Sequence, residues 1–116
     1  MELRVQSTDT TLTHYMLAGR MDHAGVNRIR DDFMKAVKST DKSVLLDLAK
    51  VTFIVSTGIG MLLDASRALA EKGIQLAISN AQPIVEQSIK LAKVDGILSL
   101  AHSNDEARSL LRVREN

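Results

Sequence analysis

The chain has 116 residues, 45% apolar and 25% charged, and its 15 basic and 14 acidic side chains leave a net charge of +1. That length closes one core without staples, and two Phe, one Tyr and no Trp make the core aliphatic. The absence of cysteine excludes disulfides, thiol catalysis and Cys-ligated zinc and fits a cytoplasmic protein.

The basic residues form no stripe with interleaved aromatics, so nucleic-acid binding has no support. Met1-Glu2-Leu3-Arg4 opens no signal-peptide-like apolar region, and no apolar run reaches membrane-spanning length, so direct membrane insertion is not expected. No linker, repeat or low-complexity segment divides residues 1–116, which read as a single domain.

Leu3 and Val5 alternate with polar neighbours over Glu2 to Gln6, a weak first strand. Thr11 to Leu17 form the second strand of a hairpin turning near Thr8-Asp9. Gly19-Arg20-Met21-Asp22 is expected to break that strand. Val26, Ile29, Phe33 and Val37 then recur at helical spacing and predict a helix over about His23 to Lys38. Asp31 and Asp32 fall off that stripe, on its solvated face. Ser43 to Leu48 carry the continuous apolar run of a strand covered on both faces.

A second helix is predicted from near Thr57, with Ile59, Leu62, Leu63, Leu69 and Ala70 on its inner side and Gly73 as its stop. Ile74, Leu76 and Ile78 mark the next strand. Pro83 suits the first turn of a third helix, which carries Ile84, Val85, Ile89 and Leu91 inward and ends around Asp95-Gly96. Ile97 to Leu100 make a short strand. Ser103-Asn104-Asp105-Glu106 has the serine-to-glutamate spacing of a capping box and opens a last helix with Ala107, Leu110 and Leu111. The order β-β-α-β-α-β-α-β-α predicts one α/β domain, a mixed sheet of about five strands covered by about four helices.

The stretch from Val51 to Leu63 carries the functional signal. It reads as a buried hydrophobic turn that delivers two hydroxyls and a glycine, Ser56-Thr57-Gly58, to the mouth of the second helix. Unpaired N–H groups and the positive dipole end favour negative charge there. A phosphoryl group on such a hydroxyl would change a surface that a partner could read. The plainer alternative makes Ser56 an N-cap. Other chemistry lacks its residues. His14, His23 and His102 have no ligand-like spacing, so no metal or cofactor is expected. Gly58-x-Gly60 lacks the third glycine of a dinucleotide fingerprint and the lysine of a P-loop. Ser56 sits in no glycine-x-serine-x-glycine elbow.

Three landmarks together resemble the STAS family, specifically its stand-alone anti-sigma-factor antagonists. They are Leu17-x-Gly19-x-Met21-Asp22; Leu46-Asp47-Leu48 followed by Val51-x-Phe53-Ile54-x-Ser56-Thr57-Gly58-Ile59-Gly60; and Gly73, Pro83 and Gly96. The resemblance implies the STAS fold and a phosphoacceptor at Ser56, with Thr57 the second choice. It also implies partners. One is an anti-sigma factor or switch serine kinase with a histidine-kinase-like ATPase fold, bound by the unmodified antagonist and released on phosphorylation. The other is a metal-dependent serine phosphatase that resets the switch. The chain departs from the pattern at Val55, where the family has an aspartate.

By the same resemblance Asp22 lies near the acceptor loop, the alternative being a plain turn aspartate. Asp47 either orients that loop or is a solvent-facing strand-end carboxylate. Thr57, Gly58, Gly60, Met61, Asp64, Ser66 and Arg67 are candidate partner contacts. The two glycines either allow close backbone approach or only ease helix entry and packing, and Met61, Asp64, Ser66 and Arg67 taken singly read equally as a solvated helix face. The protein itself is not expected to be an enzyme. Val55 keeps open a phosphorylation-independent scaffold subunit, and the fold alone keeps open a small hydrolase or ligand-binding domain.

Overall fold

The structure, a computed structural model, describes residues 1–8, 11–94 and 96–115. Its strands are β1 (Glu2–Thr8), β2 (Leu12–Met21), β3 (Ser43–Ile54), β4 (Leu76–Ser79) and β5 (Ser99–Ala101). Its helices are α1 (His23–Ser39), α2 (Ser56–Ala70), α3 (Pro83–Leu91) and α4 (Asn104–Glu115). The strands form one sheet in the order β1-β2-β3-β4-β5, with β1 antiparallel to β2 and the remaining pairs parallel.

Val44, Leu45, Leu46 and Leu48 are fully buried, which places β3 at the centre with both faces covered. Val44, Leu46 and Leu48 pack with Val26, Ile29, Phe33 and Val37 of α1, with Met61, Leu62, Ala65 and Leu69 of α2, and with Val85 and Ile89 of α3. Leu45 points the other way and joins Leu12, Ala77 and Ala101 beneath Ala107 and Leu111 of α4. Crossovers of one hand, taken in one direction along a sheet, put their helices on one face. Helices α1 to α3 therefore share a layer, and α4 covers part of the other face. Among the described residues no helix is long and apolar enough to cross a membrane.

Several boundaries differ from the sequence expectations. The predicted break at Gly19 to Asp22 is absent, because β2 continues to Met21. Gly19 takes φ +116° and the register against β3 slips on either side of it, so the strand bends and stays paired. Its partner continues too. Val51 to Ile54 are the last residues of β3 and not a turn, with Gly19↔Val51, Arg20↔Phe53 and Met21↔Ile54 in register. Helix α2 starts one residue early, at Ser56, and Ala70 is exposed on its outer side.

Helix α3 stops at Leu91 and leaves Ile84 and Leu91 exposed, at 54% and 74%. Only Val85 and Ile89, four apart, fit the narrow contact of so short a helix with the core. Its predicted end at Asp95 lies outside the described residues, as does Asp9 of the predicted hairpin turn. Strand β5 is Ser99–Ala101, with Ile97 outside it and exposed. Leu110 of α4 sits at the rim of the helix's buried face, 37% exposed.

Candidate functional site

Because β2 and β3 outrun β4, their ends form a two-stranded extension. The Val55 N–H donates to the Met21 carbonyl at 3.0 Å, so α1 and α2 begin side by side. The start of α1 is closed. Asp22 is its N-cap, and its Oδ1 accepts from the Gly25 N–H at 2.8 Å. Arg20 Nε donates to Asp22 Oδ2 at 3.3 Å. The Gly25 amide first, and Arg20 second, hold the exposed Asp22 carboxyl below its ordinary value. Gly25 is required for close packing, since a Cβ there would overlap the Arg20 carbonyl oxygen.

The start of α2 is open. Its N-cap is Val55, which offers no side-chain cap. Ser56 is therefore the first helical residue, not the cap. The Val55 carbonyl accepts from the N–H groups of Gly58 and Ile59, at 2.9 and 3.1 Å. Ser56 and Thr57 are both exposed, and the Ser56 hydroxyl makes no hydrogen bond among the described residues. Thr57 differs, because its Oγ1 lies 3.0 Å from Nδ1 of His23, the first residue of α1. Nearby, the Arg20 guanidinium stacks 4.4 Å from the centroid of the Phe53 ring, and the cation–π attraction fixes the edge of the extension.

The remaining predicted contacts separate into two groups. Gly60 is open, with no atom within 4 Å of where its Cβ would be. Arg67 is exposed and Ser66 half-buried. Asp64 faces α1, with Arg30 Nη2 at 2.6 Å and Arg67 Nη1 at 3.9 Å. Asp64 and Arg67 border a groove of about 460 Å³ lined also by Arg30, Met34, Lys38 and Glu71 among others. Two residues belong to the interior instead. Met61, expected as a partner contact, is fully buried in the core. Gly58 is also buried, and a Cβ on it would stand 2.9 Å from Ile54 Cγ1 and 3.3 Å from Met21. Its lack of a side chain lets α2 settle on the strand ends.

Asp47 is not at a strand end. Ile54 lies seven positions further along β3, roughly 23 Å of extended chain, and Asp47 works at a different corner. Its Oδ1 accepts from the Ala49 N–H at 2.8 Å, and its Oδ2 lies 3.5 Å from Asn104 Nδ2 and 3.8 Å from His14 Nε2. Asn104 Oδ1 also accepts from Ser79 Oγ at 2.6 Å and from Asn80 Nδ2 at 3.1 Å. His14 is buried, and its Nε2 makes no hydrogen bond among the described residues. Burial lowers its pKa against the opposing pull of Asp47.

His102 is exposed on α4's approach, 3.2 Å from Glu86. Among the described residues no group of three or more His, Cys, Asp or Glu could hold a metal ion. The residue that sequence reasoning passed over is His23. Its partner lies 34 positions away, and the available signal was its place directly after Asp22 in the first motif.

The chain belongs to the STAS family, since the family model of the STAS domain matches residues 2–107. Its fold is also that of an anti-sigma factor antagonist from Mycobacterium paratuberculosis, 18% identical over 96% of this chain and 95% of that one, at TM-score 0.81. The anti-sigma factor antagonist SpoIIAA is similar in two states. The unphosphorylated form is 20% identical over 99% and 98% of the two chains, at TM-score 0.74. The phosphorylated form, from Bacillus, is 19% identical over 97% and 99%, at TM-score 0.68. The murine anion transporter Slc26a9 shares the fold at 16% identity and TM-score 0.79, over 92% of this chain and 18% of the transporter.

Proposed function

We propose that the chain is an anti-sigma-factor antagonist whose affinity for its partner is switched by phosphorylation of Ser56. The observation that carries this reading is the open start of α2, an exposed Ser56 hydroxyl on a helix N-terminus that no side chain caps. Free N–H groups and the dipole end favour added negative charge there, so a phosphoserine of about −1.5 to −2 charge leaves the domain folded. The same charge pressed against a partner's surface is repelled and costly to desolvate.

The partner in this reading is an anti-sigma factor or switch kinase with a histidine-kinase-like ATPase fold. It binds the unmodified chain and releases the phosphorylated one, and a metal-dependent serine phosphatase resets the cycle. The chain contributes surface and acceptor, with no catalysis of its own, and works in the cytoplasm. Gly60, Asp64 and Arg67 border the face the partner covers, with Asp22 and Thr57 at its end.

Fragment-mapped intact mass of protein recovered from its own cells with phosphatases inhibited tests the reading. The expected result is one phosphate on Ser56, absent in Ser56→Ala. Ser56→Asp should bind the kinase recovered on the wild-type chain at least about a hundredfold more weakly, a change of about 2.7 kcal/mol. Equal binding by wild type and Ser56→Asp would sink the switch. Val55, where the family resemblance places an aspartate, favours a second reading, a constitutive scaffold subunit of another complex. That reading predicts a complex that survives ATP and is indifferent to Ser56→Glu.

A further inference from the structure

Two adjacent hydroxyls stand at the open start of α2, and they are not equivalent. Thr57 Oγ1 is 3.0 Å from His23 Nδ1, whereas Ser56 is exposed with its hydroxyl unpaired among the described residues. We propose that His23 is a positioning residue that selects between them, holding the Thr57 hydroxyl against α1 and leaving Ser56 as the acceptor. The proposal rests on the phosphoacceptor reading above and adds to it a residue from a different helix.

The chemistry of transfer makes the distinction matter. A hydroxyl oxygen forms a bond to the γ-phosphorus of ATP while the bond from that phosphorus to the bridging oxygen breaks. ADP leaves, and the hydroxyl proton passes to a base on the kinase. The attacking oxygen must therefore turn a lone pair in line with the phosphorus and its proton toward the kinase. Ser56 rotates freely and can do both. Thr57 is β-branched, with few χ1 choices, and in the proposed arrangement the Nε2–H tautomer of His23 accepts its hydroxyl proton in a hydrogen bond directed at α1. Turning Thr57 to the kinase requires that bond to break.

The opposite role, His23 as a base that activates Thr57, lacks its supporting parts. A catalytic imidazole of that kind is oriented and charged by a carboxylate on its far nitrogen. His23 is exposed, and it has no carboxylate partner among the described residues. The neighbouring Asp22 carboxylate is occupied by the Gly25 N–H and by Arg20. His23 is placed to hold a hydroxyl, not to ionise one.

The test maps phosphate on Ser56 and Thr57 in protein recovered from its own cells with phosphatases inhibited, for wild type, His23→Ala and His23→Asn. Wild type should carry its phosphate predominantly on Ser56, with Thr57 a minor share. His23→Ala should move the Thr57 share up several-fold, toward about tenfold, the span of one exposed hydrogen bond. His23→Asn, whose amide reaches the Nδ1 position, should restore selection. A site ratio that His23→Ala leaves unchanged overturns the selection while the acceptor reading stands. Phosphate on Thr57 that His23→Ala abolishes reverses the role, and no phosphate on either hydroxyl ends both readings.

A second measurement is independent of any kinase. Long-range proton–nitrogen NMR of the neutral His23 ring should show Nδ1 unprotonated and accepting in wild type, with that signature lost in Thr57→Val. Identical ring signals in the two proteins would remove the contact and the proposal with it.

Discussion

Helices α2 and α4 both start where parallel strands end, yet their polar groups are turned in opposite directions. At α4 the Ser103 Oγ accepts from the Glu106 N–H at 3.0 Å, and Glu106 Oε2 accepts from the His102 N–H at 3.3 Å, a capping box whose returning bond lands on the residue before the cap. Asn104 then ties the helix to Ser79 and Asn80. At α2 the N-cap is Val55, and the polar side chains that follow are exposed. A helix start whose donors are satisfied from within stabilises the fold and has little left for a ligand or modification. One left open holds its donors in reserve. In the proposed reading stability and switching occupy the starts of two different helices, and a change at one should leave the other largely intact.

The largest expected effect lies at the closed end. Ser79 is fully buried, and its hydroxyl donates to Asn104 at 2.6 Å. Asn104→Ala leaves that hydroxyl without its acceptor, which should cost about 1–3 kcal/mol in a urea melt, with Ser56 phosphorylation unchanged. A loss of phosphorylation in the folded variant would break the division between the two ends.

The same corner gives the protein a pH response. Burial lowers the His14 pKa below 6.5, opposed by Asp47 and reinforced by Arg108. Between that ordinary value and the lower folded one, the unfolded chain takes up a proton that the folded chain resists. Stability is therefore lost as pH falls from about 6.5. His14→Gln should flatten the slope in that window. Asp22 is also shifted down, but within the carboxylate range, so its contribution is present above the ordinary carboxylate range and is lost as pH falls through its lowered folded value. Denaturation midpoints taken between pH 7 and pH 3 separate the two windows.

Next in size is Ser103→Ala, which removes the α4 cap at a cost of about 1 kcal/mol. Ser56→Ala, at the uncapped start of α2, should stay within about 0.5 kcal/mol of wild type. Similar losses from both substitutions would mean that Ser56 caps its helix after all.

How much of this was legible in the sequence follows from the range of each interaction. The α1 stripe, the α4 capping box and the Gly73 stop were readable because each is decided within one or two turns. Gly73 indeed takes φ +72°, with the Ile74 N–H returning to the Leu69 carbonyl. The extension of β2 and β3 was hidden because Gly19 reads locally as a breaker, and only a paired neighbour makes its bend tolerable. Met61 was misplaced because α2 buries a stripe through Gly58, Met61, Leu62, Ala65 and Leu69, rotated from one through Leu63 and Ala70. The Ser56-Thr57-Gly58 stretch was visible as a motif. The His23–Thr57 bond was not, since it joins two helices by side chains alone.

The smallest effect is the sharpest probe of the open end. Val55→Asp would place a carboxylate at the N-cap of α2, where it can accept from a first-turn N–H and face the positive end of the helix. Val55 is half-buried, so lost packing offsets part of the gain. A net stabilisation of about 0.5 kcal/mol is expected, near 2 °C in melting temperature for a chain of this size. The cap should depend on ionisation and fade as pH falls below the carboxylate range, whereas Val55→Asn should keep it. No gain from either substitution would show that the first-turn donors of α2 are already satisfied. The open start would then be open only to solvent, and the dipole argument for Ser56 would lose its physical basis even if the phosphate were found there.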